Sequence, residues 1–394
     1  MLESLKPQPP DKIIGLMQLF REDPRTDKID LGVGVYRNAD GLTPIMAAIK
    51  DAERQLLREQ TTKTYTALAG EPEYRDAMVE LVLADAVNRQ CVAALHTAGG
   101  TGAVRLALEL AQSASPGISV WIPTPSWPSH ASIAKHLKLS SRTYRYFDHE
   151  SKLVAFDNMM SDLAQMRKGD AVILHGCCHN PTGADLNAGQ WSELSTLLES
   201  KEALPIVDFA YQGFGDGLEE DARGVRELAV KFDEVMIAAS CSKNFGVYRE
   251  RTGALLVRTE NTRTAGLIQG QLAYLNRQSI SFPPDHGARL VTMVLRDAAL
   301  RSSWLNELNA IRGSLQHLRQ SLADELRKLS GSDRFSFIVS HKGMFTLLGA
   351  TDEQVAAMRR KHGIYLVGGG RINIAGLSER TVPIMAAAML DVGM

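Results

Sequence analysis

Apolar and polar residues follow two different periods along the middle of the chain. Segments with the helical period of about 3.6 residues cover 44–59, 73–86 and 103–112. Short apolar runs, typical of strands that are buried on both faces, lie at 118–122, 171–175, 204–209, 234–240 and 253–257. Helices that alternate with buried strands predict an α/β fold with a mostly parallel sheet covered by helices on both faces.

The pattern changes after residue 300. Between Ser302 and Leu329, leucine and isoleucine recur at helical spacing, which predicts one long amphipathic helix. It leads to an α+β section, with strands expected at 335–339 and 345–348. A long helix without glycine-rich breaks suits a connector between domains. We therefore expect a large domain over 41–310 and a smaller α+β domain formed by 1–40 together with 311–394.

Composition narrows the function classes. A chain of 394 residues exceeds the size at which single cores usually stop growing, and its 44% hydrophobic and 23% charged residues are typical of globular proteins. A net charge of −1 argues against nucleic acid or an anionic membrane as the main partner. No apolar run approaches the roughly 20 residues of a membrane helix, and residues 1–10 lack a signal-peptide core. We expect a cytoplasmic protein.

Cysteine usage agrees with a reducing compartment, since four cysteines in this length do not form a disulfide scaffold. On a continuous strand, His175, Cys177 and His179 would share one face, which is the pattern of a metal site. Adjacent cysteines in apolar strands are more often small buried hydrophobes, so we predict no metal.

The most informative residue is a lysine at the end of a buried strand. Lys243 follows the apolar run 235–239, and a buried lysine is costly unless it is paired, neutral or covalently used. Hydroxyls at Ser240 and Ser242 and a guanidinium at Arg251 would form a cradle for a phosphate. This combination indicates a lysine that forms a Schiff base with a phosphorylated aldehyde, pyridoxal phosphate (PLP).

The same residues also fit another class of enzyme. Ser240-x-x-Lys243 matches the Ser-x-x-Lys of penicillin-recognising acyl enzymes, but the chain contains neither their Lys-Thr-Gly nor their Ser-Asp-Asn. Most lysines are solvated surface charges, so the PLP interpretation depends on partners elsewhere in the sequence.

A glycine-rich stretch supplies one such partner. Gly99-Gly-Thr-Gly102 precedes a helix predicted to begin near Ala103, and the free N–H groups of a helix N-terminus bind anions. Taken alone, the stretch is better explained as a plain capping turn. Neither this stretch nor 31–35 has the full pattern of a dinucleotide-binding loop or a P-loop.

Three more groups follow predicted strands at their carboxyl ends, where α/β sheets bind ligands. Trp127 lies in a proline-rich loop and offers a flat face for a planar ring. Asn180 begins an Asn-Pro-Thr-Gly turn, and Asp208 ends an apolar strand where a protonated pyridine nitrogen would pair with it. A core tryptophan, a simple turn and a helix-capping aspartate are the ordinary alternatives. Their succession at consecutive strand ends favours one shared site.

Together these motifs resemble the aspartate/aromatic aminotransferase family, the class I PLP-dependent aminotransferases of fold type I. The similarity runs from about Leu31 to Ala375. It is carried by Ser-Lys-Asn-Phe-Gly-x-Tyr-x-Glu-Arg at 242–251, Cys-His-Asn-Pro-Thr-Gly at 178–183, Pro-Ser-Trp-Pro-x-His at 125–130 and Gly-Arg-Ile-Asn-Ile-Ala-Gly at 370–376. The resemblance implies a seven-stranded sheet in the large domain, PLP as the cofactor, and transamination by a ping-pong mechanism.

The resemblance also implies a role for each matched residue. Lys243 forms the Schiff base, Asp208 pairs with the pyridinium nitrogen with support from His130, and Tyr211 hydrogen-bonds the phenolic oxygen; Lys243, Asp208 and Tyr211 are the expected catalytic residues. The expected cofactor-binding residues are Gly100, Thr101, Trp127, Asn180, Asp208, Tyr211, Ser240, Lys243, Arg251 and, from the neighbouring subunit of a homodimer, Tyr65. The expected substrate-binding residues are Gly34, Trp127, Asn180, Arg371 and, from the neighbouring subunit, Arg277.

The chemistry of transamination accounts for these residue types. A negative Asp208 keeps the pyridine nitrogen protonated and makes the ring an electron sink. The resemblance assigns the substrate α-carboxylate to Arg371 and a distal carboxylate to Arg277, and planar guanidinium forks match carboxylates bidentately. The expected partners are therefore small-molecule amino acids and 2-oxo acids, with no nucleic acid and no membrane.

The residues expected in the substrate pocket allow two interpretations of which amino acids the protein uses. Two carboxylate-binding arginines predict aspartate, glutamate, oxaloacetate and 2-oxoglutarate as substrates. The chain has Ile280 and Phe282 where many aspartate-specific relatives carry Tyr and Asn, which makes the pocket less polar. We predict an aromatic-amino-acid aminotransferase with aspartate activity. If Phe282 only packs at the subunit interface, a narrow aspartate aminotransferase is the alternative.

Two further classes are less favoured. A β-lyase or decarboxylase would keep Lys243 and Asp208 but would need no distal-carboxylate arginine at position 277. A non-catalytic PLP-sensing regulator would be expected to carry a fused DNA-binding domain, for which the short stretch before Leu31 leaves no room.

Overall fold

The computed structural model describes residues 2–7, 12–38 and 41–394. Parts of the N-terminal stretch 1–10 and the predicted domain limit at residue 40 lie outside these residues. The strands are β1 Ile29–Asp30, β2 Val92–Ala98, β3 Ser119–Thr124, β4 Ser140–Arg145, β5 Ala171–His175, β6 Leu204–Phe209, β7 Val235–Ser240, β8 Thr252–Arg258, β9 Phe345–Leu347, β10 Ile364–Tyr365 and β11 Arg371–Asn373.

The α-helices of the described chain lie before, between and after these strands. They are α1 Lys12–Glu22, α2 Ala47–Glu59, α3 Pro72–Leu83, α4 Gly99–Ala114, α5 Pro128–His136, α6 Phe156–Leu163, α7 Ala188–Ser200, α8 Arg223–Lys231, α9 Thr262–Ser279, α10 Asp285–Arg296, α11 Ala298–Ser330, α12 Phe337–Ser340, α13 Asp352–His362 and α14 Val382–Asp391. In the part of the chain that the structure covers, none of them is both long and apolar enough to cross a membrane.

A seven-stranded sheet forms the centre of the fold, with the order β2-β8-β7-β6-β5-β3-β4. The strands from β4 to β7 pair in parallel, and β8 runs antiparallel to both of its neighbours. Residues of β5 alternate between two cores, because Val172 and Leu174 face one and Ala171 and Ile173 face the other. Burial on both faces explains the continuous apolar runs of the sequence, and the predicted α/β fold is confirmed.

Two strands of this sheet are not predicted from the sequence. The edge strand β4 has a polar sequence in which Tyr144 is the one buried residue, so it lacks an apolar run. Strand β2 is rich in alanine, which is a weak strand former. Its place in the sheet depends on pairing with β8 from Val92 to Ala98, about 160 residues away in sequence.

Two local predictions are wrong. The helix after the glycine-rich stretch begins at Gly99 rather than near Ala103, so the glycines form its first turn. The strand predicted at 335–339 is instead a turn followed by α12. Phe335 and Ile338 are buried three residues apart, which is the spacing of a helical face, and so short an apolar run does not distinguish the two periods.

The N-terminal segment is tied to the C-terminal part of the chain. Strand β1 pairs in parallel with β10, and the N–H of Leu31 donates to the carbonyl of Tyr365 at 3.0 Å. The predicted long helix is present as α11, which begins after the capping carboxylate of Asp297 and ends at Gly331 in the left-handed conformation. The predicted domain limit at 310/311 falls inside this continuous helix. The two-domain division stays a prediction.

One buried arginine of α11 organises the C-terminal part. Arg319 is 2% exposed, and its guanidinium donates to the carbonyls of Ile338, Lys342, Gly343 and Phe345 and to the hydroxyl of Thr346. Burial lowers the pKa of Arg319 to about 10, so the side chain remains charged at neutral pH. Hydrogen bonds to a buried cation therefore hold the segment 338–346, in addition to the pairing of its last residues with β11.

We expect Arg319→Lys to destabilise the protein by about 2–4 kcal/mol, because a lysine cannot reach all five acceptors and leaves buried carbonyls unpaired. Thermal unfolding of the variant should begin several degrees below that of the parent. Arg327→Lys is the matched control, since Arg327 lies on the same helix in an exposed ion pair with Asp333. Equal unfolding temperatures for the two variants would contradict the role assigned to Arg319.

Candidate active site

The carboxyl ends of the parallel strands meet at one edge of the sheet, and the loops that follow them surround a cavity of about 210 Å3. Strands β3, β5, β6 and β7 lead to Trp127, Asn180, Tyr211 and Lys243 in turn. Of the residues expected to form the site, the lining contains Gly34, Gly100, Thr101, Trp127, Asn180, Asp208, Tyr211, Ser240, Lys243 and Arg251.

Lys243 lies three residues after the end of β7, a strand whose residues are all buried. Its Nζ lies 4.6 Å from the centre of the Tyr211 ring, and the residue keeps part of its surface open to the cavity. Burial lowers the pKa of Lys243, an effect that the carboxylate of Asp208 partly opposes and the Arg251 cation reinforces. The amine is thus more readily deprotonated than a surface lysine, as a nucleophile or base requires.

Asp208 lies near the end of β6 and is 9% exposed. Its Oδ2 is 2.9 Å from Nε2 of His130, whose Nδ1 is 2.8 Å from the hydroxyl of Ser126. Burial acts to raise the pKa of Asp208, but the hydrogen bond and charge of His130, with His175 and Lys243, outweigh it and hold the pKa below its ordinary value. A buried carboxylate that stays ionised is suited to pair with a cationic ring nitrogen.

The other end of the cavity is cationic and rich in hydrogen-bond donors. Helix α4 begins there with Gly99, at φ +71°, packed closely against the guanidinium of Arg251. A Cβ at Gly100 would lie 3.0 Å from the Cβ of Ser240, so a side chain at that position would crowd the opening between them. A helix N-terminus, hydroxyls and a guanidinium together form an anion site.

Three further side chains line the same cavity, those of Asn180, Trp127 and Tyr211. The buried Oδ1 of Asn180 has no hydrogen-bond partner within the described chain, which is costly unless a ligand supplies one. The Trp127 ring meets that of His130 edge to face, with centroids 5.3 Å apart. Burial raises the pKa of Tyr211 and the charge of Asp208 raises it further, so its hydroxyl remains a donor.

Arg371 reaches the site from the C-terminal part of the chain. It begins β11, is 5% exposed, and donates from Nη2 to the carbonyl of Gly32 at 2.6 Å. Burial lowers its pKa, which the nearby Tyr211 partly opposes. The residue is therefore near the cavity but is not among the side chains that line it.

Two predicted site residues lie apart from the cavity. Tyr65 is 84% exposed and stacks on Phe282 with ring centroids 4.7 Å apart. The guanidinium of Arg277 lies 5.5 Å from the same ring and donates to the hydroxyl of Ser281 at 2.7 Å. Tyr65, Phe282 and Arg277 therefore form one exposed cluster, and the single chain does not bring it to Lys243.

Five lining residues are absent from the predicted site: His175, Cys177, Cys178, Ala210 and Tyr248. The hydroxyl of Tyr248 accepts the N–H of Tyr36 at 3.1 Å, a contact between segments more than 200 residues apart. Tyr248 belongs to the motif at 242–251, but nothing local in the sequence indicates its contact with Tyr36. Ser242, which the sequence analysis places in the phosphate cradle, also lines the cavity.

The histidines and cysteines around residue 177 do not share a strand face. Strand β5 ends at His175, whose ring lies 4.1 Å from that of His179. The thiols of Cys177 and Cys178 instead group with the carboxylate of Asp221. Burial raises the pKa of both thiols, and a protonated thiol is a poor metal ligand. The absence of a metal stays a prediction.

The chain is similar to proteins of known function over nearly its whole length. Residues 26–389 match the family described as aminotransferase class I and II. The chain is similar to the aromatic-amino-acid aminotransferase of Paracoccus denitrificans, at 56% identity over 393 residues and all of both chains. It is also similar to the aspartate aminotransferase of Escherichia coli K12, at 40% identity over 395 residues and all of both chains.

A solved structure extends the similarity to three dimensions. The aromatic-amino-acid aminotransferase of Burkholderia pseudomallei, covalently bound to pyridoxal phosphate, superposes with a TM-score of 0.97 at 35% identity. The alignment covers 100% of this chain and 99% of that one. Both the order of the elements and their packing are therefore shared.

Proposed function

The chain belongs to the class I and II aminotransferase family, and from this premise we propose that it transfers an amino group between an aromatic or dicarboxylic L-amino acid and a 2-oxo acid, with PLP as the cofactor. The observation that carries the proposal is the pairing, in one cavity, of a buried lysine amine with a buried ionised carboxylate and an anion site. Amine, carboxylate and anion site match an aldehyde, a pyridine nitrogen and a phosphate.

The residues present fit this cofactor. Gly100, Thr101, Ser240 and Arg251 would hold the phosphate, and Asp208 the pyridine nitrogen. The Nδ2 of Asn180 and the hydroxyl of Tyr211 would donate hydrogen bonds to the phenolic oxygen. Trp127 would flank the ring. When bound, PLP supplies an electron sink that stabilises negative charge at the substrate Cα.

The chain's own residues then position the substrate and move one proton. Asp208, oriented by His130, would hold a proton on the ring nitrogen. The Lys243 amine, with its lowered pKa, would accept the proton from the substrate Cα. Arg371 would bind the α-carboxylate, with Gly34, Trp127 and Asn180 beside it, and would so orient the substrate.

We extend the proposal to a homodimer with shared active sites. The cluster of Tyr65, Phe282 and Arg277 is exposed on the single chain, and an exposed tyrosine and arginine are typical of interfaces. Tyr65 would reach the phosphate and Arg277 the distal carboxylate in the neighbouring subunit.

We also propose that the protein is cytoplasmic. The four cysteines are free thiols, which supports the cytoplasm as the compartment.

Phe282 supports the broader substrate range. Its ring contacts both Tyr65 and Arg277, so the arginine expected to bind a distal carboxylate lies over an apolar aromatic surface. Such a surface accepts the ring of phenylalanine, tyrosine or tryptophan, while the guanidinium remains available to aspartate.

The experiment that tests the proposal is the visible absorption of the PLP-loaded protein before and after L-aspartate or L-phenylalanine is added separately. We expect each amino acid to remove the visible absorption band of the bound PLP and to release a stoichiometric amount of 2-oxo acid. A response to aspartate alone would establish the narrow aspartate aminotransferase. Release of products without a matching amount of 2-oxo acid would indicate a lyase or decarboxylase and overturn the proposal.

A further inference from the structure

Arg371 is a buried cation without an anionic partner among the described residues. It donates once, to the carbonyl of Gly32 at 2.6 Å, and its buried Nε has no hydrogen-bond partner. A guanidinium that is 5% exposed is costly to keep charged. A carboxylate partner would stabilise the charge but would also occupy the fork that a substrate carboxylate needs. Another group must stabilise Arg371.

The aromatic ring of Phe345 occupies that position. The Cζ of Arg371 lies 4.5 Å from the centre of this ring, which is within the range of a cation–π contact. The ring also meets Tyr211 edge to face at 6.2 Å, and a Cβ at Gly34 would lie 3.3 Å from its tip. Phe345 is 2% exposed and thus touches three residues of the proposed site.

Three contacts fix the backbone of Phe345. It begins β9, which pairs antiparallel with β11, the strand that carries Arg371. Its carbonyl accepts a hydrogen bond from the buried Arg319 at 2.7 Å. Gly183 of the Asn180 loop packs so closely against the same carbonyl that a Cβ there would lie 2.2 Å from its oxygen. The ring therefore has little freedom to move relative to Arg371.

We propose that Phe345 is a positioning residue for the substrate carboxylate: its ring stabilises the Arg371 guanidinium from one face and leaves the N–H edge free to bind. The inference rests on the proposed role of Arg371 in binding the α-carboxylate. A π face stabilises a cation without accepting its hydrogen bonds. The contact thus performs the task of a counter-ion without competing with the substrate.

The inference predicts a loss that is specific for carboxylates. Replacing Phe345 with leucine keeps the site apolar but removes the π face. Binding of 3-phenylpropionate to the PLP-loaded protein should weaken roughly 3–30-fold, the range expected for a desolvated cation–π contact. Binding of 3-phenylpropionamide, which has the same ring but no charge, should change less than about twofold. Calorimetric titration measures both dissociation constants.

The chain offers a matched control in Phe335→Leu. Phe335 is 6% exposed, lies in the same part of the chain, and carries the Arg334 guanidinium 4.8 Å from its ring. The control therefore breaks a second arginine–phenylalanine contact outside the site, between a buried phenylalanine and an exposed arginine. Both variants should lose thermal stability, but the control should bind 3-phenylpropionate with the parent dissociation constant.

Three outcomes separate the inference from the proposal beneath it. If Arg371→Leu leaves 3-phenylpropionate binding unchanged, the proposed role of Arg371 is wrong. If Arg371→Leu weakens binding while Phe345→Leu behaves like Phe335→Leu, the positioning role alone is wrong. Equal weakening of the acid and the amide by Phe345→Leu would mean that the ring shapes the pocket rather than supporting the guanidinium, and would also overturn the inference.

Discussion

Replacing Lys243 with alanine is expected to leave PLP bound and to lower turnover by at least about 10²–10⁴-fold, the contribution of a positioned general acid–base. Cofactor binding should persist because the anion site at the start of α4 and the Asp208–His130 pair do not depend on the lysine. Turnover should fall because, among the described residues, no second lysine lines the cavity. The loss should exceed that of any other substitution considered for this protein.

The measurement combines the absorption of bound cofactor with the rate of 2-oxo acid formation. Lys168→Ala is the matched control, since Lys168 is an exposed lysine paired with Glu202 on the surface. Near-normal turnover in Lys243→Ala would refute the catalytic assignment. Loss of turnover together with loss of PLP would show instead that the lysine mainly retains the cofactor.

Replacing Arg277 with leucine should damage the use of aspartate selectively. Only a dicarboxylate buries a second negative charge in the substrate pocket, and an unpaired buried carboxylate costs enough to lower kcat/KM on the order of 10²-fold. Phenylalanine has no distal charge, and the ring of Phe282 remains in place, so its kcat/KM should change little. Steady-state kinetics with both substrates provides the test.

The control for this variant is Arg263→Leu, an exposed arginine near the start of the same helix, α9. It should leave both substrates unaffected. Equal losses for aspartate and phenylalanine in Arg277→Leu would show that Arg277 supports the structure of the exposed cluster rather than binding a carboxylate.

Motifs identified the residues whose chemistry is unusual for their local setting. Lys243 and Asp208 were predictable because a charge at the end of a buried strand requires a partner, and strand ends are readable from apolar runs. The glycine-rich turn before α4 was recognisable, although its boundary was misplaced by one turn. The roles of these residues stay predictions until the variants are measured.

Local motifs did not predict the contacts between segments that are distant in sequence. Tyr248 enters the cavity lining through a hydroxyl bonded to the backbone of Tyr36, and Phe345 supports Arg371 because β9 and β11 happen to pair. Phe345 is not unusual in its own stretch of sequence, since a phenylalanine in an apolar setting is ordinary core. Tyr248 lies in the motif at 242–251, but that stretch does not indicate its partner. Only the register between segments gives them a place in the site.

The sequence by itself determined the α/β class, the long helix α11 and the residues with reactive chemistry, because periodicity and buried charge are local properties of the chain. Tertiary structure decided the inclusion of β2 and β4 in the sheet, the helical state of 337–340, and the separation of the Tyr65–Phe282–Arg277 cluster from the cavity around Lys243. In each case the deciding energy comes from pairing or packing with residues far away in sequence, and such partners leave no periodic signal in the segment itself.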